Sequence, residues 1–92
     1  MQSIQDQQCP LCSNPARFVL IDHDFRKHFK CPVCIEFVIS IKVEKYPEMH
    51  KSQYQARFSD LAKNAPKGEI LDIRVKGTDV SADYVNRSTL LH

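Results

Sequence analysis

The chain has 92 residues, of which 42% are hydrophobic and 26% are charged. This length supports one compact core and excludes large catalytic architectures such as the (β/α)₈ barrel, which needs about 250 residues, and the two-halved dinucleotide-binding fold. The 13 Lys and Arg residues against 11 Asp and Glu give a net charge of +2. The overall charge therefore does not indicate a nucleic-acid-binding domain, which is usually clearly basic.

The sequence predicts a cytoplasmic protein without membrane contact. Residues 1–8 contain neither a basic nor an apolar segment, so no secretory signal is expected. No run approaches the roughly 20 apolar residues that cross a bilayer, since residues 35–43 are interrupted by Glu36, Ser40 and Lys42. In a reducing compartment we expect cysteines to act as metal ligands or redox thiols rather than as disulfides.

The cysteines lie in two Cys-Pro-x-Cys segments, here named the first knuckle (residues 9–12) and the second knuckle (residues 31–34). The 18 residues between them fall within the spacing of four-cysteine zinc sites. Each such turn directs two sulfurs to one point, and two turns complete a tetrahedron around one structural Zn²⁺ with no open coordination position. The predicted ligands are Cys9, Cys12, Cys31 and Cys34. The alternatives are iron in the same four-sulfur site and a thioredoxin-like redox pair.

The two knuckles, the hairpin-length insert between them and the apolar run that follows resemble a zinc ribbon over residues 8–45. More loosely, the whole chain resembles small bacterial zinc-ribbon proteins of uncharacterised function. The resemblance implies a metal role for the four cysteines, in a class that serves transcription, translation, nucleic-acid binding and protein docking. Zinc ribbons often have Gly after the second cysteine of a knuckle, whereas this chain has Ser13-Asn14 and Ile35. We therefore expect a left-handed backbone at Asn14, and a second knuckle that continues directly into a strand because Ile disfavours that conformation.

Two antiparallel strands are predicted between the knuckles. Residues 17–21 are rich in β-branched and apolar side chains, residues 22–24 (Asp-His-Asp) form a turn, and residues 25–30 return. A period of two places Phe25, Lys27 and Phe29 on one face of the second strand. It places Arg26, His28 and Lys30 on the other face, which we expect to be in solvent. With two nearby cations they are the candidate nucleic-acid contacts: Arg17, Arg26, His28, Lys30 and Lys42. The alternative interpretation is an ordinary solvated strand face.

A long strand and a helix are predicted after the second knuckle. Residues 35–44 have apolar side chains at every second position, which is typical of a half-buried strand. Pro47 ends the strand, and the helix is predicted over residues 48–65. Its apolar stripe consists of Tyr54, Phe58, Leu61, Ala62 and Ala65. We expect the stripe to pack on Phe37, Ile39 and Ile41.

The predicted fold class is α+β, a small antiparallel zinc-ribbon sheet with one packed helix and an additional C-terminal strand. That strand is predicted over residues 69–76, at an edge of the sheet where its charged side chains discourage pairing with a second copy. Residues 78–92 have few signals and form either a flexible tail or a short helix near residues 82–88. The chain is thus one domain, with the ribbon at residues 8–45, a helix-and-strand extension at 46–77 and the tail at 78–92.

No catalytic signature is present. The four histidines are scattered, two glycines cannot form a phosphate-binding loop, and Asp-His-Asp at residues 22–24 is typical of a turn. One Zn²⁺ held by four cysteinates would bring the net charge close to zero. The sequence therefore predicts a non-enzymatic structural-zinc domain, monomeric or weakly dimeric, that acts as a protein-interaction or regulatory module. The alternative is a nucleic-acid-binding zinc ribbon that uses the basic strand from Arg26 to Lys30.

Overall fold

One six-stranded sheet organises the part of the chain that is described. The structure is a computed structural model and describes residues 4–21, 23–47 and 51–91. The strands lie side by side in chain order: β1 (Gln5–Gln8), β2 (Pro15–Ile21), β3 (Arg26–Cys31), β4 (Ile35–Ser40), β5 (Glu69–Lys76) and β6 (Asp79–Asn86). The helices are α1 (Ile41–Glu44), α2 (Ser52–Lys63) and α3 (Arg87–Leu91). Neighbouring strands are antiparallel except β4 and β5, which run parallel. The predicted α+β combination of a sheet with a packed helix is confirmed, but the prediction of a purely antiparallel sheet is wrong at the β4–β5 pair.

The hairpin predicted between the knuckles forms the centre of the core. Phe18 of β2 lies opposite Phe29 of β3, and Phe29 lies opposite Phe37 of β4. The ring centroids of both neighbouring pairs are 5.2 Å apart. Aromatic pairs at this separation stabilise a core beyond the area that they bury. The row of three rings therefore ties β2, β3 and β4 together on one face of the sheet.

The turn between β2 and β3 is exposed. His23 and Asp24 have φ values of 54° and 69°, the left-handed conformation that His and Asp adopt more readily than most residues. Asp22 lies outside the described residues. The geometry at His23 and Asp24 agrees with the turn that the sequence predicted, and the neighbouring Phe25 is 68% exposed.

The long strand predicted over residues 35–44 is wrong in its second half. β4 ends at Ser40 and α1 follows directly. The Ser40 hydroxyl accepts a 3.1 Å hydrogen bond from the backbone N–H of Val43, which is the N-cap interaction that begins a helix. Ile39 and Val43 are both fully buried. Because residues four apart lie on the same side of a strand and of a helix, the apolar spacing did not distinguish the two.

Helix α2 packs its predicted apolar stripe on the sheet. The helix is shorter than the predicted 48–65, and residues 48–50 lie outside the described part of the chain. The buried core joins residues of the helix and of β4: Phe58, Ala62, Phe37 and Ile39. Tyr54 and Leu61 pack against this core from the side, whereas Ile41 begins α1 and is half-buried. Within the residues that the structure describes, none of the helices has the length and apolar character needed to cross a membrane.

The C-terminal part of the sheet differs from the prediction. β5 has the predicted bounds but is an interior strand, because β6 covers its outer side from Glu69 opposite Asn86 to Lys76 opposite Asp79. The flexible tail or short helix predicted for residues 78–92 is therefore wrong for residues 79–86. Strand β6 carries many polar residues, so its own sequence has no clear strand pattern. It forms because it pairs with β5, and this tertiary interaction cannot be predicted from local periodicity. The Tyr84 hydroxyl also donates to the Leu61 carbonyl of α2 at 2.8 Å.

Candidate metal centre

Each knuckle is followed directly by a residue with a left-handed backbone. After the first knuckle this residue is Ser13, with a φ of 64°, and its N–H donates to the Cys9 carbonyl at 2.8 Å. The prediction that placed this conformation at Asn14 is wrong. The second knuckle continues directly into β4, as predicted, yet Ile35 has a φ of 71°. Non-glycine residues in this region cost about 1–3 kcal/mol each, so the surrounding structure must hold the turn.

The two knuckles bring their sulfurs together. The Sγ atoms of Cys9, Cys12, Cys31 and Cys34, here named the cysteine cluster, all lie within 4.8 Å of one another. The Sγ atoms of Cys9 and Cys34 are 3.8 Å apart, and those of Cys12 and Cys31 are 3.4 Å apart. Sulfurs at the corners of a tetrahedron with 2.3 Å metal bonds would be about 3.8 Å apart. The predicted clustering of the four free cysteines is confirmed, and the cluster can hold a metal ion.

Burial disfavours negative charge on two members of the cluster, Cys9 and Cys34. Cys9, Cys31 and Cys34 are buried, and Cys12 is half-buried. Burial raises the pKa of the Cys9 thiol well above its ordinary value and raises the pKa of Cys34 to about 11. At Cys12 burial acts in the same direction, but hydrogen bonds from the side chain and backbone of Asn14 and from Cys31 and Cys9 together outweigh it and lower the pKa to about 7. A cation among the sulfurs would favour their ionised form, because metal coordination deprotonates thiols.

Two polar residues of α2 contact the knuckles, and sequence reasoning missed both. The Ser59 Oγ atom lies 3.0 Å from Cys34 Sγ, and Ser59 is 7% exposed. The Gln55 side-chain amide donates to the Pro10 carbonyl of the first knuckle at 3.2 Å. One signal was present in the sequence, since Ser59 lies between the apolar stripe residues Phe58 and Ala62. A polar side chain in such a position needs a buried partner.

A separate polar group lies near the first knuckle. The Lys27 ammonium is 2.9 Å from Glu44 Oε1 and donates to Gln7 Oε1 at 2.8 Å. It also lies 4.5 Å from the ring centroid of Phe18, within the range of a cation–π interaction. Lys27 thus faces the core side of β3, where the sequence placed it with Phe29, and it links β3 to β1 and α1.

The basic row predicted on β3 does not face solvent as a unit. The Arg26 side chain is 21% exposed, and its Nη1 atom lies 3.3 Å from Asp72 Oδ2. The His28 side chain is 9% exposed, and its Nε2 atom lies 3.0 Å from Glu36 Oε2. The expectation of a solvent-facing row is therefore wrong for Arg26 and His28. Their acidic partners come from β5 and β4, so only the assembled sheet reveals them.

The remaining candidate nucleic-acid contacts are exposed. Arg17 lies opposite Lys30 across β2 and β3, and its Nε atom is 3.6 Å from Asp6 Oδ1. Lys42 is exposed on α1 rather than on a strand. A groove of about 340 Å³ is lined by Ile4, Arg17, Phe18, Val19, His28 and Lys30. The structure thus brings Arg17, His28 and Lys30 of the candidate set to one groove.

Glu36 connects the strand after the second knuckle to the C-terminal helix. Its carboxylate accepts hydrogen bonds from Arg87 Nε at 2.7 Å and from Arg87 Nη2 at 3.2 Å. The hydrogen bond from Arg87, together with that from His28, lowers the pKa of the Glu36 carboxyl despite its partial burial. This two-point contact fixes the start of α3 against β4.

Fold and site together define a small domain with a mostly antiparallel sheet and four cysteines that can hold a metal ion. Comparisons with protein-family models, with curated proteins and with solved structures found no match. The resemblance to zinc ribbons rests on the two knuckles and the hairpin between them.

Proposed function

We propose that the cysteine cluster binds one Zn²⁺ as the structural, tetrahedral centre of a zinc-ribbon domain. The observation that carries this proposal is the convergence of all four Sγ atoms within 4.8 Å from two knuckles. Four protein ligands fill a tetrahedral coordination sphere and leave no position for a substrate. Bound zinc would supply folding free energy to a small core, because the unfolded chain does not hold the four thiolates in place. We therefore propose a non-enzymatic role, in a cytoplasmic environment that keeps the thiols reduced.

Metal analysis tests the zinc proposal directly. Protein purified without added metal should contain one zinc per chain, and the Cys31→Ser variant should contain much less. Iron also suits a tetrahedral four-sulfur site, so the same analysis measures iron. One iron per chain would replace zinc in the proposal, and folded protein without any bound metal would contradict it.

We further propose that the domain acts as a protein-interaction or regulatory module. Ile35 supports this role, because its left-handed backbone is strained and its side chain is 59% exposed. A β-branched side chain in that position contributes little to this chain's own core. Val33 of the same knuckle is 38% exposed. An exposed apolar pair at one turn is suited to contact with another protein.

The interaction proposal is tested by a matched pair of variants. Val33→Ser combined with Ile35→Gly removes the exposed apolar pair, whereas Ile4→Ser removes an apolar side chain that is 68% exposed elsewhere. A partner that crosslinks to the wild type and to Ile4→Ser but not to the double variant would support the proposal. Equal crosslinking by all three folded proteins would contradict it.

Nucleic-acid binding is the second candidate function. Exposed Arg17 and Lys30 lie opposite each other at one groove and favour it, whereas the ion pairs of Arg26 and His28 with carboxylates oppose it. Binding of the metal-loaded protein to generic DNA and RNA over a range of salt concentrations distinguishes the candidates. Affinity that falls steeply with salt and is lost in Arg17→Gln/Lys30→Gln would support a phosphate contact. No binding at low salt would exclude this function.

A further inference from the structure

Helix α2 touches both knuckles through two side chains one helical turn apart. Gln55 donates to the Pro10 carbonyl of the first knuckle, and Ser59 contacts the sulfur of Cys34 in the second. Residues four positions apart lie on the same face of a helix. One face of α2 therefore bridges the two halves of the cysteine cluster.

The Ser59 contact is buried and specific. The 3.0 Å separation between Ser59 Oγ and Cys34 Sγ lies within the range of an O–H···S hydrogen bond, and both residues are almost fully buried. When Cys34 is a thiolate, the sulfur can only accept, so the hydroxyl donates. A hydrogen bond to a charged acceptor is stronger than a neutral one. The contact therefore gains strength when Cys34 becomes a metal ligand.

We infer that Ser59 is a positioning residue of the metal centre, which donates a hydrogen bond to the Cys34 thiolate, and that Gln55 tethers the first knuckle from the same helix face. This inference rests on the proposed metal binding by the cysteine cluster. Partners that orient metal ligands typically change metal affinity by 10–100-fold when they are removed. Metal binding and the docking of α2 are thus coupled, so each stabilises the other.

The chain supplies a matched control for each residue. Ser52 and Gln53 lie on α2, and both are exposed. The Ser59→Ala variant is compared with Ser52→Ala, and Gln55→Ala with Gln53→Ala. Each pair makes the same chemical change on the same helix, so a larger effect of the first variant of each pair reports its contact with the knuckle.

Cobalt(II) is the probe, because its thiolate charge-transfer absorption reports both binding and the electron density on sulfur. We expect Ser59→Ala to bind Co²⁺ about tenfold more weakly than Ser52→Ala in competition with a chromophoric chelator. The charge-transfer band should shift to longer wavelength, since a thiolate without its hydrogen bond is a better electron donor. Gln55→Ala should bind about fivefold more weakly than Gln53→Ala, without a band shift.

The outcomes separate this inference from the metal proposal. A wild-type protein without a cobalt–thiolate spectrum would overturn both. A normal wild-type spectrum with Ser59→Ala equal to Ser52→Ala in affinity and band position would overturn the inference alone. Weaker binding by Ser59→Ala without a band shift would assign Ser59 a packing role and would also overturn it. Should Ser59→Ala fail to fold, the comparison of Gln55→Ala with Gln53→Ala decides the bridging role of α2.

Discussion

The guanidinium of Arg26 reaches across β4 to a buried carboxylate. Its Nη1 atom lies 3.3 Å from Oδ2 of Asp72, although Arg26 is on β3 and Asp72 is on β5. Asp72 is 1% exposed, and Arg74 Nη2 lies 3.1 Å from the same oxygen. A buried carboxylate requires paired charges, because its hydration is lost. The Arg26–Asp72 contact therefore belongs to the interior of the fold and joins β3 to β5.

Removal of the Arg26 charge should destabilise the protein. We expect Arg26→Gln to lower the free energy of unfolding by about 2–3 kcal/mol. The loss is smaller than that for a buried carboxylate without any partner, because Arg74 also contacts Asp72. Urea unfolding of the metal-loaded protein measures this change. Lys30→Gln on the same strand is the control, and since Lys30 is exposed its effect should stay within about 0.5 kcal/mol. Equal stability of the two variants would contradict a buried role for Arg26.

Relief of the strained backbone at Ile35 should stabilise the protein. Ile35→Gly removes the conflict between a β-branched side chain and a positive φ, and the expected gain is about 1 kcal/mol, equivalent to a rise of about 4–8 °C in Tm. Thermal unfolding of the metal-loaded protein is the measurement. Ile35→Ala retains a Cβ atom and should gain much less. A Tm for Ile35→Gly at or below that of Ile35→Ala would show that the turn is not strained.

The contact between Arg87 and Glu36 should hold the C-terminal helix on the sheet. We expect Arg87→Ala to lower the free energy of unfolding by only about 0.5–1 kcal/mol, because half-exposed ion pairs contribute little. Hydrogen exchange in residues 87–91 should nevertheless become faster, since the two-point contact at 2.7 and 3.2 Å is lost. Lys76→Ala, at an exposed position of β5, should leave this exchange unchanged. Unaltered exchange in Arg87→Ala would assign the docking of α3 to other contacts.

Metal removal should affect more than the knuckles. A strong chelator should unfold residues 8–45 and loosen α2, because Ser59 and Gln55 attach that helix to the knuckles. Cys31→Ser should have the same effect without a chelator. Two-dimensional NMR spectra of the protein before and after chelation follow both regions by residue. Native-like dispersion in the metal-free protein would show that the fold does not depend on the metal.

The sequence predicted those features that depend on local spacing. The intervals between cysteines placed all four in one cluster, and the alternation in residues 69–76 gave β5 its bounds. The apolar stripe of α2 was also predictable, because Phe58 and Ala62 lie four residues apart, which is a helical spacing. These signals are complete within a short stretch of chain.

Features that depend on distant partners were not predictable in the same way. Arg26 was assigned to solvent because Asp72, 46 residues away, becomes its neighbour only in the assembled sheet. Strand β1 (Gln-Asp-Gln-Gln) has no apolar alternation, so nothing in its own residues marks it as a strand. At Ile35 the local signal was misleading. A β-branched residue disfavours the left-handed conformation, yet Ile35 adopts it directly after the second knuckle.

X-ray absorption at the zinc edge of the purified protein tests the central claim most directly. We predict one zinc per chain with a shell of four sulfurs at about 2.3 Å and no nitrogen or oxygen ligand. Folded protein without a zinc signal, or a zinc shell that includes nitrogen or oxygen, would contradict the assignment of all four cysteines to one structural zinc site.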